Sequence, residues 1–328
     1  MDNQLYLSSS PHIHSGETTE RIMRLVIYAL LPAVLVSLYF FGLPALKVLL
    51  ICTLGCVVCE ALANKLLKQE LTIKDGSGAL TGILLALNLP ASSPWWLALL
   101  GSAIAIFIGK MIYGGLGYNP FNPALVARVV LLISFPVQMT RWTAPAPLTT
   151  GIDAVTAATP LGEMKMAVML TGKLPETANS GLLDYFTGNM GGCLGEVSSI
   201  ALLLGGLLLI YKKVITWHIP VSFIGTTLLV STIFWLADPG KYANPLFHLL
   251  TGGLLLGAFF MATDMVTSPI TYKGMLIFGC GCGLLTILIR LFGGYPEGVS
   301  FAILLMNAVT PLIDRSCRPK IYGLAEKA

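Results

Sequence analysis

Carboxylates, amides and one threonine stand where oily segments of this 328-residue chain begin or end, and each offers a distinct chemistry. In MATDMVTSP (261–269), Asp264 is set among Thr263, Thr267 and Ser268; in TIKDGSGALTG (72–82), Asp75 opens another apolar run. A carboxylate beside hydroxyls supplies the hard oxygens of a Na⁺ site or a link in a proton path, and its plainer role is to cap a turn in water. In YGGLGYNPFNPALVAR (113–128), the amides of Asn119 and Asn122 can hydrogen-bond the edge of a planar, polar ligand. The glycines and prolines around them equally make a tight turn that leads into a helix. In DAVTAATP (153–160), Thr159 precedes Pro160, the order of an N-cap followed by proline at the first helical position. A helix N-terminus also favours phosphate, and the small neighbours Ala157 and Ala158 leave the hydroxyl room for a phosphoester.

Other constellations are weaker. Cys52, Cys56 and Cys59 share a helical face, which suits a metal or cluster but suits ordinary buried cysteine better. The seven cysteines are odd in number and mostly lie in apolar runs, so a disulfide framework is not expected. His12 and His14 lie in a polar leading segment, and His218 and His248 near the ends of apolar runs. HExxH, GxSxG and P-loop patterns are absent, which leaves hydrolases and nucleotide-hydrolysing enzymes without support. No dense Lys/Arg tract marks a nucleic-acid footprint.

The elements that must position these residues are membrane spans. The chain is 55% hydrophobic and 11% charged, where a soluble domain carries about 25% charged residues. Its mean hydropathy is +0.80. Apolar runs at 22–41, 45–64, 79–89, 95–113, 123–139, 196–215, 219–237, 248–263, 274–292 and 299–312 predict about ten transmembrane helices, two of them short for a crossing. The leading segment lacks the basic start and short apolar core of a cleaved signal peptide, so the first run is expected to be retained. Threading the runs from a cytoplasmic N-terminus leaves only Lys47, Arg141, Lys165, Lys173, Lys241 and Arg290 outside and Arg128 within a span, out of 20 basic residues. That asymmetry predicts cytoplasmic termini and an outward loop carrying Thr159.

Two stretches repeat. SGALTGILLALNLP (77–90) pairs with LLTGGLLLGAFFMATD (249–264), and IGKMIYGGLGYNPFNPALVARVV (108–130) with IRLFGGYPEGVSFAILLMNAV (289–309). Five spans per half would set the halves in opposite orientation, an arrangement of transporter-like folds. The expected fold is therefore all-α and polytopic, in two inverted five-helix repeats. Its parts are a cytoplasmic tail at 1–21, a first half at 22–139, an extracytoplasmic loop at 140–195, a second half at 196–312 and a cytoplasmic tail at 313–328. By itself the repeat is equally consistent with a stand-alone solute channel or secondary transporter.

SSPHIHS, YGGLGYNPFNPA, DAVTAATPL, FMATDMVTSP and FGGYPEGVSFAILL, taken in order, resemble the D subunits of Rnf ion-translocating ferredoxin:NAD oxidoreductases. The related B subunits of sodium-pumping NADH:quinone oxidoreductases are similar. The resemblance implies a translocase subunit of a bacterial or archaeal cytoplasmic membrane that passes electrons through FMN, coupled to Na⁺ or H⁺ movement and inactive alone. It implies FMN joined by a phosphoester to Thr159 in the motif Thr156-Ala157-Ala158-Thr159, with Ala157 where the family's motif carries glycine. It further implies a second flavin, with riboflavin as candidate, at Asn119 and Asn122. Asp264 and Asp75 become candidates for the ion path. Implied partners are the other membrane and peripheral subunits, among them a second covalent-flavin subunit and iron–sulfur subunits. A flavin transferase for maturation and membrane lipid complete the set.

Overall fold

The computed structural model describes residues 18–68, 71–145, 157–175 and 181–318. Most of the 1–21 and 313–328 tails, with His12 and His14, lies outside these residues, as do Asp153 to Thr156 and part of the 140–195 loop. The described residues form helices and turns, with an isolated bridge between Pro90 and Cys193. Thr19–Leu66, Trp95–Tyr113, His218–Ala237, Tyr272–Phe292 and Val299–Ser316 are long and apolar enough to cross a membrane. Ser77–Leu87, Pro123–Ser134 and Ser199–Tyr211 are shorter apolar helices. The chain is a helical, multi-pass membrane protein. Leu35, Leu50, Leu229 and Leu312 face outward from it, as lipid-facing residues do.

The first helical stretch doubles back. Drawn straight, its 48 residues would span about 70 Å, more than twice the hydrocarbon thickness of a bilayer. Gly42 breaks it with φ 59° and ψ −138°, a conformation that a residue with a Cβ rarely adopts. A Cβ at Gly76 would lie 3.8 Å from the Met23 side chain, while the Glu60 carboxylate lies against Gly78. Met23 and Glu60 therefore meet the same short segment, and the limbs on either side of Gly42 run antiparallel. These limbs correspond to the runs expected at 22–41 and 45–64.

Glycine brings the helices close. At Gly82 the Cα faces Thr53 Cα and the Cys52 carbonyl so tightly that a Cβ would lie 2.6 and 2.7 Å from them. Gly279 and Gly283, one turn apart on Tyr272–Phe292, do the same against Ile219 and Phe223 of His218–Ala237. Small residues at such crossings let backbones pack where lipid offers no hydrophobic drive. Hydroxyls within these helices bond to their own backbone, Thr227 to Phe223 O at 2.9 Å and Thr286 to Cys282 O at 2.7 Å.

The short helices are interrupted for structural reasons. Ser77–Leu87, at 11 residues, rises about 16 Å, roughly half of the hydrocarbon core. Beyond it the chain meets segment 188–198, whose Gly195 N donates to Leu87 O at 2.7 Å and Leu194 N to Leu89 O at 3.1 Å. The run expected at 248–263 is not one helix. It breaks after Pro245–Leu250, where Gly252 (φ 70°) and Gly253 (φ 60°) turn the chain, and resumes as a short helix with a π-turn over Gly257–Met261. The run expected to begin at 196 becomes helical only at Ser199, because Glu196 belongs to the loop beneath it.

Gly82→Ala is expected to lower the thermal unfolding midpoint of the purified protein by several degrees, because overpacking of this kind costs about 1–3 kcal/mol. Gly225→Ala serves as the control, since a Cβ at Gly225 meets nothing within 4 Å.

Candidate functional site

The candidate residues fall at two ends of the helical bundle. Asn119, Asn122 and Asp264 line one cavity of about 820 Å³, counting its open mouth, with Lys110, Phe259 and Phe260 among the other walls. Thr159 lies at the other end, with the loops that precede Ser199–Tyr211 and Val299–Ser316. Asp75 is outside the cavity wall; its Oδ1 accepts from Ser77 N at 2.9 Å and from the Ser77 hydroxyl at 2.7 Å, closing the turn into Ser77–Leu87. The sequence treats the two aspartates as equivalents, whereas the fold gives Asp264 to the cavity and Asp75 to a helix start.

The two asparagines differ as well. Asn122 is the N-cap of Pro123–Ser134: its Oδ1 accepts from Ala124 N at 3.1 Å and Leu125 N at 3.3 Å, and its Nδ2 donates to Met261 O at 3.4 Å. It ties the two halves of the chain together and has little hydrogen-bonding capacity to spare. Asn119 donates from Nδ2 to Phe121 O at 3.0 Å, while its buried Oδ1 has no hydrogen-bond partner among the described residues. An orphaned buried carbonyl costs about 1–3 kcal/mol, so this amide is available to a donor on a ligand in the cavity. Asp264 Oδ1 accepts from Val266 N at 3.3 Å.

At the cavity wall the ammonium of Lys110 lies 2.5 Å from Glu60 Oε1 and 2.6 Å from Ser77 Oγ. The two charged side chains are 2% and 1% exposed. Glu60 Oε1 also accepts from the Thr72 hydroxyl at 3.0 Å, which accepts in turn from Asn64 Nδ2 at 2.9 Å. Burial of both charges is tolerated because each is paired and hydrogen-bonded. The threading of charges places Lys110 and Arg290 in water on opposite sides, yet both are buried. Arg290, 1% exposed, donates to the carbonyls of His248 (2.5 Å), Thr251 (2.8 Å) and Gly252 (2.9 Å). Glu60 and Lys110 are functional candidates that no sequence motif marks; their signal is that a charge inside an apolar run asks for a reason.

Thr159 caps the helix Pro160–Thr171, its Oγ1 accepting from Gly162 N at 3.0 Å. The residue is 4% exposed. A Cβ at position 162 would come within 3.0 Å of the hydroxyl, so the glycine keeps a small space open beside it. A helix dipole favouring negative charge and this space suit a phosphoester on Oγ1. Lys165, on the same helix, donates to Gly293 O and to Tyr295 O at 3.0 Å, pinning the helix to the loop before Val299–Ser316. Desolvation holds its ammonium below the usual lysine range. The cysteine face behaves as a buried apolar surface: the Cys52 and Cys56 thiols approach Ala98 O at 3.9 Å and Ser102 O at 4.0 Å.

Lys110→Met is expected to cost about 3–5 kcal/mol, because it leaves the Glu60 carboxylate buried and unpaired. The double variant with Glu60→Met should recover part of that loss, a coupling that thermal unfolding of the four proteins measures.

Residues 6–323 match the model of the NQR2, RnfD, RnfE family. The chain is 51% identical over 324 residues to the D subunit of the Na(+)-translocating ferredoxin:NAD(+) oxidoreductase complex of Acetobacterium woodii, covering 98% of this chain and 96% of that one. It is 48% identical to the D subunit of the proton-translocating ferredoxin:NAD(+) oxidoreductase complex of Clostridium ljungdahlii, covering 98% and 97%. The D subunit of an ion-translocating oxidoreductase complex of Escherichia coli is 42% identical, with 97% and 98% covered. On the match of its whole helical region, the chain belongs to the NQR2, RnfD, RnfE family.

Proposed function

We propose that this chain is the flavin-carrying D-type membrane subunit of an ion-translocating ferredoxin:NAD oxidoreductase complex, with FMN joined covalently to Thr159. The observation that carries the reading is the near full-length match to relatives named as subunits of such complexes. The capping position of Thr159, with open space at Gly162, supports the attachment. Flavin held there supplies one- and two-electron transfer. The chain anchors the phosphate through Thr159 at the positive end of the helix dipole and fixes the helix through Lys165. Thr159 takes no part in turnover. Maturation requires a flavin transferase, and complete activity requires the other membrane and peripheral subunits, including a second covalent-flavin subunit and iron–sulfur subunits.

The cavity bounded by Asn119 and Asp264 is the candidate seat of a second flavin, riboflavin being the simplest that needs no phosphate anchor. There Asn119 Oδ1 would accept from the ring edge, Phe259 and Phe260 would exclude water, and Lys110 would set the local potential. Asp264 stands at the same wall, where a carboxylate can pass Na⁺ or a proton; Asp75 serves the adjoining turn. The Acetobacterium and Clostridium relatives are named for different ions, so similarity at this level does not choose between them.

The architecture in this reading is ten spans in two inverted halves, 22–139 and 196–312, with the flavin-bearing loop at 140–195 outside a bacterial or archaeal cytoplasmic membrane and both termini inside. Its support is the pairing of Lys110 with Arg290. Aligned in the repeat, each is buried and reaches the start of a short interrupted segment, Ser77 in one half and Thr251–Gly252 in the other.

Intact mass of the subunit isolated from its complex should fall by one FMN adduct in Thr159→Ala, and fluorescence on a denaturing gel should vanish. Thr159→Ser, which keeps both hydroxyl and cap, should retain the adduct. An unchanged mass in Thr159→Ala would remove the attachment site, and a chain colourless after denaturation would favour a solute carrier. For the cavity, Asn119→Leu is expected to weaken acid-releasable flavin binding by about tenfold, the equivalent of one hydrogen bond to a ligand, and equilibrium dialysis measures that loss.

A further inference from the structure

A second buried polar centre lies beyond the inner end of the cavity. Arg128, on Pro123–Ser134, donates from NH1 to Asn88 Oδ1 at 2.6 Å and from NH2 to Glu297, and its NH2 lies 3.5 Å from Cys193 Sγ. Glu196 Oε1 lies 4.0 Å from the same nitrogen. Ligand atoms of Cys193, Glu196 and Glu297 lie within 4.8 Å of one another. Glu196 Oε1 and Glu297 Oε1 are both buried without a hydrogen-bond partner among the described residues. The Glu196 side chain is 4% exposed and that of Glu297 11%, so Glu297 is the member closer to solvent.

The position is as informative as the composition. Asn88 follows the last turn of Ser77–Leu87, and its Nδ2 donates to Leu84 O at 2.6 Å. Leu84 and Ala124 line the cavity, so the centre begins about one helical turn beyond its wall. Glu196 comes from the segment that docks on Leu87 and Leu89, and Glu297 from the loop pinned by Lys165. The centre therefore bridges the inner cavity and the loops around Thr159.

The charges facing the pair can be counted from each neighbouring element. Arg128 is the cation in contact, whereas Arg290 commits NH1 and NH2 to the carbonyls of His248, Thr251 and Gly252. His248 is buried beside it, and the Cys193 thiol donates to Asn88 O at 3.3 Å. Arg290 keeps its positive charge and acts on Glu196 from beyond contact distance, but it gives neither carboxylate a donor; two buried carboxylate oxygens a few ångströms apart are left unpaired, and the least costly remedy is a proton on one of them. Arg128 sits among the three ligand atoms, which disfavours a divalent metal there.

We propose that Glu196 and Glu297 form a carboxyl pair that holds one exchangeable proton between the inner cavity and the outer loops, with Arg128 as fixed counter-charge. Protonation places one proton on a carboxylate oxygen of the pair; release returns it towards the outer loops through Glu297. This role rests on the ion-coupled reading above, but the proton itself is detectable without turnover or flavin. Infrared difference spectra of the complete complex in membranes, recorded against pH and after exchange into D₂O, read it directly. The expected result is a protonated-carboxyl stretching band that shifts in D₂O, is lost as pH rises, and disappears in both Glu196→Gln and Glu297→Gln. Should either variant fail to assemble, ¹³C-glutamate labelling of the wild-type complex must shift the band. A band unchanged in both variants, or insensitive to the label, would overturn the proposal. So would its removal by Na⁺ at constant pH, which would give the pair to sodium. Loss of flavin with this band intact would instead count against the flavin reading alone.

Discussion

Every polar group that enters the hydrocarbon must find its partner inside the protein, and this chain buries several charged ones, among them Glu60, Lys110, Arg128 and Arg290. Helices that stop part-way across the membrane leave carbonyls at their ends. Those after Ser77–Leu87 are met by amides of segment 188–198, and those after Pro245–Leu250 by the Arg290 guanidinium. Lys110, at the cavity wall, reaches Ser77 and is neutralised by Glu60. Without these side chains the interrupted helices could not be accommodated, and without the interruptions there would be no cavity at Asn119 and no polar centre at Arg128.

The same requirement explains why function gathers at irregular backbone. Regular spans such as His218–Ala237 satisfy themselves and use glycine and hydroxyl residues for close packing. Breaks place side chains at depth with their polar ends free. Asn119, Asp264 and Glu196 come from turns or loops next to short helices, and Glu297 from the loop between two long ones. A membrane subunit of a complex that couples electron transport to ion movement needs such groups at depth, and interrupted helices provide them without a lipid-exposed strand edge.

Composition and run length make the helical membrane class legible, and the family motifs stay legible even where local chemistry is ambiguous. Single-residue roles are less so. Asn119 and Asn122 look alike in YNPFNP, yet one caps a helix and the other keeps an unpaired oxygen, a difference set by where the chain turns after Tyr118. Lys110 and Arg290 read as loop charges because hydropathy windows cannot see a partner 50 positions away in Glu60 or a carbonyl cluster around Gly252. The cysteine face at 52, 56 and 59 shows the converse, since a spacing that suits a metal here only packs one helix on another.

From its residues alone the chain determined that lipid would be its solvent and that Thr159 would precede a helix beginning with proline. These follow from burial energies and local backbone preference, which act over a few residues. Only the tertiary structure decided that Thr19–Leu66 doubles back at Gly42, that Asp264 joins a cavity while Asp75 closes a turn, and that Arg128 meets two glutamates from distant loops. Such meetings depend on which buried charge finds which partner across the bundle, and spacing along the chain carries no information about that distance.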